Sequence, residues 1–237
     1  LASFVENSTV SMLAIPGVTI PEVVVALVGH CENLKSRFAV IDMPKDMYKT
    51  KDLLQYREMI DSTYAAMYHP WIQVFDRSSS QPDFIPPSGA VMGVYSRTDT
   101  NRGVHKAPAN ETVFCTGLSV NYNKDEQDIL NPAGVNLIRA IPGQGIRVWG
   151  ARTASSNSNF KYVNVRRLFI YVEESIKANT NWVVFEPNDV ALWQRVQMTI
   201  SSFLDTMWRN GMLAGGSASE AYFVEIGPST MSKDDIM

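Results

Sequence analysis

The feature that most constrains this chain is an alternation, over its first hundred residues, between short apolar runs and helical stripes. Val23-Val24-Val25-Ala26-Leu27-Val28 is a continuous apolar run, the pattern of a strand buried on both faces. Phe38-Ala39-Val40-Ile41 reads as a second strand, ended by Pro44. A helix is predicted next, with Thr50 as its cap and Leu53, Tyr56, Ile60, Tyr64 and Met67 as a stripe close to the helical period. His69-Pro70 ends it, since a residue before proline is pushed out of the helical region. Trp71 to Phe75 forms a third strand, and a polar loop runs from Asp76 to Gln81. Pro86-Pro87 then opens a helix from Ser88 to Thr98, with Ala90, Val91, Val94 and Tyr95 on one side. Strand and helix in alternation predict a largely parallel sheet with helices on its faces.

After Glu111 the pattern changes. A short acidic helix from Lys124 to Leu130 ends at Asn131-Pro132. Val135–Ile141 and Ile146–Trp149 read as strands joined by Pro142-Gly143-Gln144-Gly145, a turn composition. A Ser/Asn-rich loop from Thr153 to Asn159 leads to two long helices. The first has a stripe of Val165, Leu168, Phe169, Val172 and Ile176, with Glu173 and Lys177 paired at i,i+4 on its exposed side. Trp182 to Phe185 is strand-like. The second helix starts at Asn188-Asp189 and is striped by Trp193, Val196, Ile200, Phe203, Leu204 and Met207. It ends near Gly211, with Gly215-Gly216 beyond, and Tyr222 to Ile226 forms a last strand. The expected class is therefore α/β. A largely parallel sheet with flanking helices occupies residues 1–127, and a smaller α+β domain with two long helices occupies 128–237.

Composition narrows the function more than the fold. At 237 residues and 45% hydrophobic, the chain can bury a core without disulfides or metals. A net charge of −3 supplies no general basic field, which disfavours a nucleic-acid-binding module. The longest apolar run falls far short of the roughly 20 residues of a membrane span. Two cysteines, Cys31 and Cys115, fit reduced buried thiols, with one disulfide left open. Leu1 to Val10 has neither the basic start nor the apolar centre of a signal peptide. The chain does not begin with Met and stops at Asp235-Ile236-Met237, so both ends read as cut.

Catalytic signals are sparse, and no cofactor or metal is expected. His30-Cys31-Glu32 could supply metal ligands, but adjacent strand residues point to opposite faces and an ordinary strand end explains them better. There is no Gly-x-Ser-x-Gly elbow, although a triad assembled from distant residues stays open. Gly143-Gln144-Gly145 fails as a dinucleotide fingerprint, because Val148 replaces the third glycine and a strand follows. Arg139, Arg147, Arg152, Arg166 and Arg167 cluster in sequence, as a solvated face or as a patch for carboxylates, which guanidinium binds through two parallel bonds. Arg166 and Arg167 flank a core stripe and are expected to point outward.

One resemblance draws these motifs together. Asn131-Pro132-Ala133-Gly134-Val135-Asn136-Leu137-Ile138-Arg139 leads into Gly145-Ile146-Arg147-Val148-Trp149-Gly150-Ala151-Arg152-Thr153. Val163-Asn164-Val165-Arg166-Arg167-Leu168 follows, then Ile170 to Ile176, Trp182-Val183-Val184-Phe185-Glu186-Pro187-Asn188-Asp189, and Leu192-Trp193. In this order they resemble the C-terminal domain of contractile tail sheath proteins of bacteriophages. Phe38 to Asp42 with Pro44, Tyr68-His69-Pro70-Trp71-Ile72, Ile85-Pro86-Pro87-Ser88-Gly89 and Arg102-Gly103-Val104 resemble that family's subtilisin-like domain, which is not proteolytic.

The resemblance implies a non-enzymatic subunit that stacks as hexameric rings around a tail tube, between a baseplate and a tail terminator. The sheath contracts to drive the tube through a host envelope. It further implies assembly in the host cytoplasm, a place in the virion, an inner layer formed by residues 128–237, and arms that add strands to a neighbour's sheet. The family continues past the Ile226-to-Ile236 region into a further strand and carries sequence before Leu1, so both arms are expected to be missing, leaving the chain monomeric or weakly associated. Arg147, Arg152, Arg166, Arg167, Glu173, Glu174, Asp205 and Arg209 are the candidate contacts to the tube or to neighbouring subunits, without direct contact to nucleic acid or membrane. Charge reversal at Arg166 and Arg167 is expected to impair assembly. The alternatives are the sheath of a bacterial contractile injection system, such as an R-type tailocin, and a subtilisin-like hydrolase.

Overall fold

The computed structural model describes residues 1–232. The end at Asp235-Ile236-Met237 lies outside the described residues. The chain divides into two compact units, Leu1–Tyr171 and Val172–Met237. The first therefore includes residues 128–171, assigned above to the second domain.

The first unit opens with β1 (Met12–Leu13) and α1 (Pro21–Leu34). Here the expected strand at Val23–Val28 is a helix. Six consecutive apolar residues carry no period of their own, so the flanks decide. Pro21 occupies the first helical turn, and burial falls on Val24, Leu27, Val28 and Cys31 at helical spacing, while Val25 is 49% exposed. The run continues as β2 (Phe38–Asp42), α2 (Thr50–Arg57) and β3 (Ala65–His69). The long helix expected to reach His69 is thus cut short, and Lys49 rather than Thr50 is its N-cap. The chain turns at Ser62, whose N–H donates to Ala154 O at 2.7 Å, and Ala65–His69 becomes a strand with all five residues buried. A strand covered on both faces leaves no alternation to read.

β4 (Ile72–Asp76) and β5 (Gln81–Ile85) form an antiparallel hairpin whose second strand was not anticipated. Its turn is knotted by Asp76, which accepts from the Ser78 and Ser79 amides. Then come α3 (Ser88–Arg102), β6 (Glu111–Thr112), β7 (Gly117–Leu118), α4 (Lys124–Leu130), β8 (Val135–Ile141) and β9 (Gly145–Val148). α4 starts with a full capping box between Asn123 and Glu126. Gly143 and Gly145, at φ of 72° and 79°, make the β8–β9 turn that the Gly-x-Gly was read as.

Six strands form one sheet in the order β1-β2-β3-β8-β9-β6. The first four pair in parallel, while β9 and β6 join antiparallel. The second sheet is β5-β4-β7. Side chains alternate along β2 and β3. Ala39, Ile41, Ala65 and Met67 face a core shared with α1, and Phe38, Val40, Ala66 and Tyr68 face one shared with Val91, Val94 and Tyr95 of α3. The mixed α/β class with a parallel-rich sheet and flanking helices is what the residues build.

The last element of the first unit is the beginning of α5 (Val163–Asn179). The second unit holds the rest of it, a 3-10 turn at Asn181–Val183, α6 (Val190–Arg209) and α7 (Ala218–Ala221). Asp189 caps α6, accepting from Leu192 N at 2.8 Å. Met207 is buried, while Trp193, Val196, Ile200, Phe203 and Leu204 are half-buried. Two expected strands are not strands. Trp182 to Phe185 runs through the 3-10 turn, with Trp182 Nε1 donating to Asn179 O. Tyr222 to Ile226 has no ladder partner among the described residues and is tied by side chains, Gln197 Nε2 donating to Val224 O at 2.9 Å. β-branched and aromatic residues favour a strand only when another strand is beside them.

Candidate assembly surface

The five arginines that cluster in sequence have three different fates. Arg166 and Arg167 are only 8% and 7% exposed, so the expectation that they point outward fails. The face of α5 that packs inward is Val163, Arg166, Arg167 and Ile170, the same spacing as the expected stripe but turned around the helix. Phe169 is 47% exposed. The guanidinium of Arg166 lies 3.5 Å from the Phe160 ring centre and 4.4 Å from that of Tyr64, and its Nε donates to Thr63 Oγ1 at 3.1 Å. Arg167 donates to both carboxylate oxygens of Asp99, at 2.9 and 2.6 Å, and lies over the Tyr95 ring. Reversing either charge would attack the fold before it tested an interface.

Arg139 and Arg147 are used locally. Arg139 Nε donates to Tyr122 O, and Arg147 donates to Gln144 O and Asn110 O, bracing the β8–β9 turn. Arg152 differs. It is half-buried, faces Tyr162 at 5.7 Å, and its guanidinium makes no ion pair or hydrogen bond among the described residues. An isolated antiparallel bridge joins Arg152 to Tyr162. Lys161 Nζ stands 5.7 Å from the same ring and is equally unpaired among the described residues.

The acidic candidates lie in the second unit. Glu173 is exposed, and Lys177 pairs with Glu174 at 4.0 Å rather than with Glu173. Asp205 and Arg209 are spent on each other at 2.8 Å. Sequence reasoning missed Lys161 and Tyr162, although their place just after the Ser/Asn-rich loop was a usable signal. It also passed over Phe185, which is 102% exposed with φ of 68°.

The hydrolase alternative meets a geometric obstacle. Ser88 Oγ donates to Asp42 Oδ2 at 2.7 Å, but Ser88 is fully buried, and Asp42 caps the start of α3 through Ser88 N at 2.7 Å. His69 points to the other face of the sheet, against Tyr122, since it follows Met67 by two residues while Asp42 follows Val40 by two. Burial lowers the His69 pKa to about 4, and neither ring nitrogen has a partner among the described residues. Burial also raises the Asp42 pKa, against hydrogen bonds that lower it. His30-Cys31-Glu32 lies on α1, not at a strand end, and no group of three or more potential ligands converges among the described residues. Both cysteines are free, and burial pushes the Cys31 thiol up to about 12.

Residues 1–154 match the family described as the phage tail sheath protein central domain, and residues 155–234 match the phage tail sheath C-terminal domain. The chain belongs to the phage tail sheath family. Among curated relatives, the tail sheath protein of Salmonella phage ViI is 29% identical over 190 residues, covering 68% of this chain and 30% of its own length. That of Escherichia phage P2 is 25% identical over 209 residues, covering 85% and 52%. The sheath of an extracellular contractile injection system, PVC, in its contracted state superposes with a TM-score of 0.85 at 36% identity, over 95% of this chain and 63% of that one. The chain thus spans part of the length of each of these relatives. The family is one of structural tail sheath proteins, not of enzymes.

Proposed function

We propose that this chain is the body of a contractile sheath subunit, which polymerises around a tail tube and shortens to drive that tube through an envelope. The observation that carries the reading is the ordered match of both sheath domains over residues 1–234, joined to a 36% identical fold match with a contracted sheath. Physical chemistry supports it. A subunit that changes neighbours during contraction must keep its interior while exchanging its rim contacts. Here the sheet is covered on both faces, and Arg166 and Arg167 are spent inside, whereas Arg152, Lys161 and Glu173 stand free at the surface among the described residues.

The partners are other sheath subunits, in hexameric rings, with the tube, baseplate and tail terminator as further contacts. Assembly takes place in the cytoplasm of the producing cell. A phage tail is one setting. The sheath of an extracellular contractile injection system is the second, and a specific observation favours it: the PVC and anti-feeding prophage sheaths are 36% and 34% identical to this chain, above the 29% of the phage ViI relative. Electron microscopy of the purified full-length protein tests the shared reading. Hollow tubes with ring-like striation are the expected result, and a protein that stays dispersed at high concentration would refute it.

A further inference from the structure

Two features match each other, one in each unit. In the first unit, a cleft of about 350 Å³ is walled by Ala107, Ala109, Trp149, Ala151 and Tyr162. Asn131 also lines it, and its Oδ1 is buried with no donor among the described residues. Arg152 belongs to the wall of this cleft and also to that of a polar hollow of about 330 Å³ holding Lys161, Thr153 and Ser158. The apolar cleft therefore has two unpaired cations beside it. The loop behind the hollow is set in advance, because Asp61 accepts from Ser156 N at 2.8 Å and from the Ser155 and Ser156 hydroxyls. Those bonds consume the Asp61 carboxylate and lower its pKa. An occupant suited to this surface brings an apolar side chain, a carboxylate next to it, and an N–H for Asn131.

In the second unit, Phe185 and Glu186 offer the apolar side chain and the adjacent carboxylate. Phe185 is 102% exposed and sits at φ of 68°, a conformation that costs a non-glycine residue of this bulk. Its neighbours hold it there. Glu186 N donates to Val183 O at 3.0 Å, Trp193 Nε1 donates to Asn188 Oδ1 at 2.6 Å, and Asp189 caps α6. An aromatic side chain held out in water by a pre-set turn loses little freedom on docking. Charge agrees as well. Residues 172–237 carry nine carboxylates against four cations, so with a chain total of −3 the residues before them are net positive.

We propose that Phe185 and Glu186 of one copy dock on a second copy, the ring in the cleft beside Trp149 and Tyr162, the carboxylate on Arg152 and Lys161. Knob and hole are different surfaces, so one copy can both give and receive the contact. Used head-to-tail, as a sheath requires, such a contact propagates into rings or helical filaments. This rests on the sheath-subunit reading and gives that reading one specific contact.

The first test does not depend on assembly. A fluorescein-labelled peptide of residues 183–189 (Val-Val-Phe-Glu-Pro-Asn-Asp) is titrated into the protein and followed by anisotropy. Saturable binding is expected, weakened about ten-fold or more by Phe185→Ala or Glu186→Lys in the peptide and by Arg152→Glu in the protein. Absent saturation, or binding indifferent to both peptide changes, would overturn the contact. The peptide variants keep the test decisive even if Arg152→Glu does not fold. In the full-length protein, Glu186→Arg and Arg152→Glu should each suppress tubes, and the two together should restore them. Normal tubes from either single variant would reject the contact and leave the sheath reading standing. Wild-type protein without tubes, but with specific peptide binding, would reject the sheath reading and keep the contact.

Discussion

Arg166 with Arg167, and Arg152 with Lys161, lie within sixteen positions of one another and look alike in sequence. The first pair is buried, with aromatic rings stacked on it and a carboxylate bonded in two places. The second pair is half-buried against one tyrosine ring, with no counter-ion among the described residues. The difference shows that a basic cluster is not one surface. A cation stacked and bonded inside the protein holds the fold, and one left unpaired at a cleft mouth is available to something else.

The comparison breaks most visibly at Arg167. Arg167→Ala leaves Asp99 without its partner and should cost about 3 kcal/mol or more, read as a lower midpoint in urea unfolding. A loss under about 1 kcal/mol would mean that the buried pair is as dispensable as the exposed one.

His69 gives a third case, a buried group that has no partner and stays neutral. Its folded pKa, about 4, is below the ordinary 6.5, so the unfolded chain takes up its proton first. Stability from this group is fully present above about pH 6.5 and is lost as pH falls towards 4, by about 3 kcal/mol in all. Asp42, with a raised pKa, acts in the opposite sense just above its unfolded value. The difference between wild type and His69→Gln isolates the histidine. Unfolding free energies of the two that stayed parallel from pH 7 to 4 would contradict this assignment.

Two smaller effects sharpen the contrast from the other side. Asp205→Ala removes an exposed i,i+4 pair with Arg209 and should cost about 0.3–0.5 kcal/mol, an effect that vanishes in high salt. Arg152→Ala should change the unfolding free energy least of all, by no more than about 0.5 kcal/mol in urea unfolding, because no hydrogen bond or ion pair of its side chain among the described residues is lost. A larger loss at Arg152 than at Arg167 would invert the whole assignment.

The parts of the fold legible in sequence were those with local grammar. The α4 capping box, the Asp189 cap and the Gly143–Gly145 turn each announce themselves within a few residues. Where burial is complete on all sides, the period disappears. Val23–Val28 could be strand or helix, and Ala65–His69 could extend the helix before it. The stripe on α5 failed for a different reason. Arginine was counted as polar, yet its flat guanidinium can stack inside a protein when rings and a carboxylate meet it. Of the candidate surface, Arg152 was visible as a residue but not as a free one, since that depends on Tyr162, Lys161 and the cleft arriving together.

The Asp42 carboxylate, at the end of β2, gathers N–H and O–H groups from two distant stretches: Gly17 ahead of α1, and Ser88 at the head of α3. Detaching either one strands a charge in a place that water barely reaches. The amides of Gly17 and Ser88, 71 positions apart in the chain, should therefore exchange with solvent deuterium at the same slow opening rate. Local fraying at one end would then be coupled to the other, and the sheet with its two helix starts would open as a single event.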